Sequence, residues 1–158
     1  MGYYSGHPAR EYVLSLLSAE VKGGRPTDLV PPPDVPFPPA GRPCPDLPEC
    51  AKPLGPPWPW TRQHPAIEID PADAVLERGE EMLAVVADRN IERVFLAGVH
   101  TNLCVVQRPF GIAALRGAGV PCSLLADLTE AMPPAFTDAA LDHIDRYFCP
   151  VISSAEIL

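Results

Sequence analysis

The sequence predicts an α/β domain with a mainly parallel sheet, and three observations carry that expectation. Short apolar runs at Ile91–Ala97, Val120–Ala126 and Pro150–Ser153 alternate with segments of helical periodicity, the signature of βαβ units with right-handed crossovers. Hydrophobic residues make up 47% of the chain, enough to cover both faces of a sheet that must be buried on both sides. The junction Gly98-Val-His-Thr-Asn102, rich in turn and cap formers, separates the first run from the next helical segment, as a strand-to-helix turn requires.

The elements follow in chain order. Pro8 to Glu20 carries Tyr12, Val13, Leu14, Leu16 and Leu17 at helix-compatible spacing, with Pro8 suited to the first turn. Fourteen of the 22 prolines fall between Pro26 and Pro59, where neither helix nor central strand can persist. This stretch is expected to run as polyproline II and irregular loop draped over the domain. Asp70-Pro71 reads as N-cap and first position of a helix running to about Arg89 and burying Val75, Leu76, Met82, Leu83 and Val86. The strand Ile91–Ala97 leads through the glycine junction to a helix over Asn102–Arg116, closed by Gly117-Ala-Gly119. Pro109 lies inside that helix and predicts a kink or a restart there. Strand Val120–Ala126, a helix over Thr137–Phe148 with Leu141, Ile144 and Phe148 on one face, and strand Pro150–Ser153 complete the order. The 158 residues are expected to form one domain: a helical segment over 1–20, a proline-rich excursion over 21–60, and an α/β core over 61–158 that carries the reactive group.

That group is Cys104, which follows the junction in Val94-Phe-Leu-Ala-Gly-Val-His-Thr-Asn-Leu-Cys-Val-Val106. A cysteine at the carboxyl end of a parallel strand stands where ligands bind in open α/β sheets. The start of a helix there favours thiolate over thiol. A buried packing role is the plain alternative for any single cysteine.

The string Leu96-Ala-Gly-Val-His-Thr-Asn-Leu-Cys-Val105 closely resembles the nucleophile motif of the isochorismatase-like cysteine hydrolases, a superfamily that includes nicotinamidases and carbamoylases. The likeness extends through Trp58-Pro-Trp-Thr-Arg-Gln-His-Pro-Ala-Ile-Glu-Ile69, Arg108-Pro-Phe-Gly-Ile112 and Tyr147-Phe-Cys-Pro-Val-Ile-Ser-Ser154, covering roughly Trp58 to Leu158. The resemblance implies a three-layer α/β/α sandwich, hydrolysis of a C–N bond in a small amide or carbamoyl-like substrate, and Cys104 as nucleophile. It also implies a cis peptide at Val99–His100, with backbone N–H groups from His100 or Thr101 and from Cys104 as the oxyanion site. The family also uses an Asp that ends its first strand, and a Lys. No apolar run ending in Asp stands near Met1, so the chain is expected to be N-terminally incomplete, beginning after the first two strands. Asp127, after a later strand, is expected to cap the next loop instead. At the position nearest the Lys, Thr61-Arg-Gln-His64 supplies Arg62, a permanent cation, and His64, whose imidazole class titrates near neutrality and suits a base. Trp60, Asn102 and Arg108 are the expected substrate-pocket residues, Trp60 either stacking on the substrate or anchoring its loop.

Twelve basic against 20 acidic residues, a net charge of −8, argue against nucleic acid and against an anionic membrane surface. No run of about 18 apolar residues spells a membrane span. No basic-then-apolar leader opens the chain. Five widely spaced cysteines, Cys44, Cys50, Cys104, Cys122 and Cys149, read as a reduced, cytoplasmic set. Cys44 and Cys50 are too few and too far apart for a zinc site and would sooner pair under oxidising conditions. No cofactor and no metal is expected. A small-molecule substrate and a homo-oligomer are, because a sheet lacking its first strands has an open edge. The alternatives are a catalytically incomplete member of the family with a binding or assembly role, motivated by the absent Asp and Lys, and a redox-responsive thiol protein.

Overall fold

The computed structural model of the chain describes residues 3–17 and 66–157. They form an α/β fold around a parallel three-stranded sheet in the order β1-β2-β3, with β1 at Val94–Val99, β2 at Cys122–Glu130 and β3 at Val151–Ile152. Helix α1 spans Pro8–Leu17, α2 Gly79–Asp88, α3 Ile112–Gly117 and α4 Thr137–Tyr147. Each parallel step is made by a helix, α3 between β1 and β2 and α4 between β2 and β3, as parallel pairing demands. The proline-rich stretch and the residues Trp58, Trp60, Arg62, His64, Cys44 and Cys50 lie outside the described residues.

The core forms where the predicted apolar faces meet. Ile112 and Leu115 of α3, Leu124 of β2 and Ile144 of α4 are fully buried together with Met82, Val106 and Cys122. Each such aliphatic side chain stabilises the fold by about 1.5–3 kcal/mol. Leu141 and Phe148 pack at the rim of that cluster beside Ile144, so α4 uses the face its spacing announces.

The second helix departs from the sequence expectation. Asp70 does cap, but what it caps is a turn: its carboxylate accepts from Ala72 N–H at 2.7 Å, and the Asp73 N–H donates to Asp70 C=O at 2.9 Å. Beyond the turn the backbone of Val75 bonds to α1, its N–H to Ala9 C=O at 3.2 Å and its C=O to the Arg10 guanidinium at 2.9 Å. Those bonds are unavailable to a helix, which starts only at Gly79. There Glu81, with no exposed surface, accepts from Glu77 N–H at 2.7 Å and Arg78 N–H at 3.2 Å and takes Arg10 in a two-pronged ion pair at 2.8 and 2.9 Å. Burial by itself raises the Glu81 pKa; Arg10, the Glu77 N–H and Arg78 outweigh it and hold the carboxyl at about 2.

The strands also shift from their expected bounds. Ile91 belongs to the exit of α2, its N–H bonding Val86 C=O at 2.9 Å after Asn90 turns the chain at φ +51°. Asn tolerates this left-handed conformation better than most residues. β1 therefore begins at Val94 and runs to Val99, while β2 continues to Glu130 across an irregularity. Leu96 pairs with Leu124, but Gly98 pairs with Thr129, so β2 carries extra residues and the side chains after Leu125 are re-aimed.

Candidate active site

The carboxyl end of β1 is built by bonds that converge on one short turn. Gly98 adopts φ +113°, a value only glycine takes without strain, and the Val99–His100 peptide that follows is cis, as the resemblance implies. The chain then makes a single π-helical turn, Thr101–Val105. The His100 carbonyl accepts from both Leu103 N–H at 3.1 Å and Val105 N–H at 3.2 Å. Cys104 is a free, half-buried thiol on this turn, and its carbonyl accepts from Arg108 N–H at 3.1 Å. The helix expected over Asn102–Arg116 is interrupted: a turn at Arg108-Pro-Phe110 separates the cysteine segment from α3. The restart follows from Pro109, which has no N–H to continue a helix.

Three side chains fix this turn to β2 and to the loop after it. Thr101, fully buried, shares a 2.7 Å bond with the Thr129 hydroxyl, which donates to Gly98 C=O at 2.7 Å. Since the Thr129 proton lies on Gly98, Thr101 is the donor to Thr129. Asn102, 5% exposed, makes a reciprocal pair with the backbone of Met132: its Nδ2 donates to the carbonyl at 2.9 Å, and its Oδ1 accepts the N–H at 3.0 Å. The peptide after Met132, to Pro133, is cis. On the other side, a Cβ on Gly111 would stand 2.6 Å from Val105 C=O and 3.0 Å from Val106 C=O. Only glycine allows the backbone of α3 to approach the cysteine turn so closely.

The remaining site residues are distributed as follows. His100 is half-buried, and its Nδ1 is buried without a hydrogen-bond partner among the described residues. Arg108 is exposed at the end of the cysteine segment. Asn102, expected from the sequence as a pocket residue, has its carboxamide engaged by the Met132 backbone. Asp127 faces β3: its carboxylate accepts the Ser154 N–H at 2.8 Å and the Ser154 hydroxyl, which together lower its pKa. The expectation that it caps the loop after its strand does not hold: Asp127 lies within β2, which runs on to Glu130, and its carboxylate is taken by Ser154 beyond β3. Arg62, His64 and Trp60 lie outside the described residues, as do both lysines of the chain, Lys22 and Lys52. Among the described residues no group of three or more His, Cys, Asp or Glu is arranged to hold a metal ion. No described helix is long and apolar enough to cross a membrane.

Thr129, Met132 and Gly111 are the positioning residues that sequence reasoning missed. Thr129 and Met132 carry no local signal, because their partners lie 28 and 30 residues away. Gly111 had one, a glycine directly after Pro109-Phe110.

The isochorismatase domain family model matches residues 44–156, which include the whole cysteine turn. The chain belongs to the isochorismatase family. Neither a curated protein nor a solved structure gives a significant match. Family membership makes a hydrolase-type domain of this α/β fold, and the isochorismatase match runs through β1, the cysteine turn, β2 and β3.

Proposed function

We propose that this isochorismatase-family chain is a cysteine-dependent hydrolase of a C–N bond in a small amide or carbamoyl-like substrate. The observation that carries the reading is the half-buried Cys104 thiol on the turn that leaves the carboxyl end of β1 through the cis Val99–His100 peptide. In this reading the Cys104 sulfur adds to the carbonyl carbon while N–H groups of His100, Thr101 and Cys104 receive the oxyanion. His64 takes the thiol proton and returns it to the leaving nitrogen, and Arg62 supplies positive charge. The C–N bond breaks, the amine departs, and water then cleaves the thioester to release the acid and restore the thiol. Trp60 and Arg108 contact the substrate, and Asn102 fixes the turn. No cofactor takes part, and the protein works in the cytoplasm.

The test is amine or ammonia release by the full chain from a panel of small amides and carbamoyl compounds, with Cys104→Ala in parallel. Turnover that vanishes in Cys104→Ala, with an acyl adduct on the tryptic peptide 94–116 of the wild-type protein, is the expected result. Turnover that survives in Cys104→Ala sinks the reading.

A second reading, assembly without catalysis, is favoured by β1 as the outer strand of the described sheet. On it Phe95 and Val99 are 42% and 60% exposed, apolar side chains on an open edge that suit a second copy of the chain. Light scattering on the full chain distinguishes the two: a homo-oligomer with no turnover on any panel member supports assembly, and a particle of 17.0 kDa removes it.

A further inference from the structure

The sheet carries a pair of sulfurs at the end opposite Cys104. Cys122 is the first residue of β2, and Cys149 lies two residues before β3. β2 and β3 run parallel with Leu124 opposite Val151, so the same register stepped back by two residues sets Cys122 against Cys149. Neighbouring strands are about 4.7–4.9 Å apart, inside the Cα separation of about 4.4–6.8 Å that a disulfide accepts. Residues in register also project from the same face of a sheet. Both side chains belong to one buried cluster of the core. The neighbouring Cys149 thiol, helped by the nearby charges of Arg116 and Arg93 and opposed by burial, favours thiolate at Cys122. Both residues are 5–6% exposed and both are free thiols.

We infer that Cys122 and Cys149 form a reversible dithiol–disulfide latch that ties the entrance of β3 to β2. The inference stands independently of any role for Cys104. With a hydroperoxide as oxidant, the Cys122 sulfur attacks the terminal oxygen, the O–O bond breaks, and water or an alcohol leaves, giving a sulfenic acid. The Cys149 sulfur then attacks that sulfenic sulfur. Its S–O bond breaks, hydroxide departs with the Cys149 proton as water, and an S–S bond remains. The two thiols have lost two electrons to the peroxide; a thiol reductant reverses the state by exchange. The element that responds is β3, which pairs with β2 through only two residues, Val151 and Ile152.

The experiment is a peptide map of the folded, full-length protein after exposure to hydrogen peroxide, with unreacted thiols alkylated during unfolding. Trypsin puts Cys104 in peptide 94–116, Cys122 in 117–146 and Cys149 in 147–158, and keeps Cys44 with Cys50 in 23–62. The expected result is 117–146 joined to 147–158, lighter by two hydrogens, resolved by reductant and absent in Cys149→Ser. Amide exchange at Val151 and Ile152 is expected to slow several-fold in the oxidised wild-type protein. Recovery of both peptides separately alkylated after Cys104 has been fully oxidised overturns the inference, as does a link from either to a different cysteine. The wild-type map decides the matter even where Cys149→Ser does not fold.

Discussion

Removing the Asn102 carboxamide tests whether the cysteine turn is held from outside itself. Its two bonds to Met132, at 2.9 and 3.0 Å, join the cysteine turn to the loop after β2, and Asn102 is 5% exposed. Asn102→Ala leaves the Met132 N–H and C=O without their partner. A buried polar group deprived of its bond costs about 1–3 kcal/mol. Met132 is itself only half-buried, so water reaches part of the gap and the lower part of that range applies to each group. The sum is about 2–4 kcal/mol, and a urea slope of about 2 kcal/mol/M turns it into a midpoint lowered by about 1–2 M. Asn102→Asp retains the acceptor for Met132 N–H but sets a carboxylate against Met132 C=O, and is expected to be no better than alanine. The assay is urea unfolding followed by circular dichroism, with iodoacetamide modification of peptide 94–116 as the local readout; a freed turn exposes Cys104 and speeds its alkylation. A midpoint within about 0.3 M of wild type together with an unchanged alkylation rate refutes the argument that Met132 holds the turn.

The other predictions concern the same junction and the helix pair beside it. Gly111→Ala drives a methyl to 2.6 Å from Val105 C=O and is expected to cost about 1–3 kcal/mol by overpacking, read as a lowered Tm. An unchanged Tm shows that the backbone there yields freely. Thr101→Val is expected to cost only about 1 kcal/mol, because Thr129 keeps its bond to Gly98 C=O; a loss several times larger contradicts the proton assignment in that chain. The Glu81 carboxyl, held at about 2 against an ordinary 4.5, contributes stability that is fully present above pH 4.5 and is lost as pH falls towards 2. Its linkage amounts to about 3 kcal/mol. Urea unfolding of Glu81→Gln from pH 7 to 2 is expected to show a deficit that narrows over that window. A gap that stays constant excludes Glu81 as the titrating group.

How far the sequence reached depends on the range of the interactions involved. The alternation of apolar runs and helical segments, the apolar face of α4 and the break at Pro109 are local properties, because side-chain periodicity and the missing proline N–H act within a turn or two. The motif around Cys104 was likewise readable, since the tight turn it encodes lies between Gly98 and Val105. The start of α2 was not. Asp70-Pro71 is a sound local start signal, yet Ala9 and Arg10, more than 60 residues earlier, take the backbone bonds of Val75 that a helix would need.

The sequence by itself therefore determined the α/β class, the order of its elements and the tight turn that carries Cys104. Tertiary structure alone decided that Glu81 is buried against Arg10, that Asn102 faces Met132, that Asp127 turns to Ser154, and that Cys122 and Cys149 enter one buried cluster. Each of these joins groups 27 or more residues apart, and no local period or propensity encodes such a pairing. It is set when the sheet closes its register and the helices pack, because only then is each buried polar group obliged to find its partner.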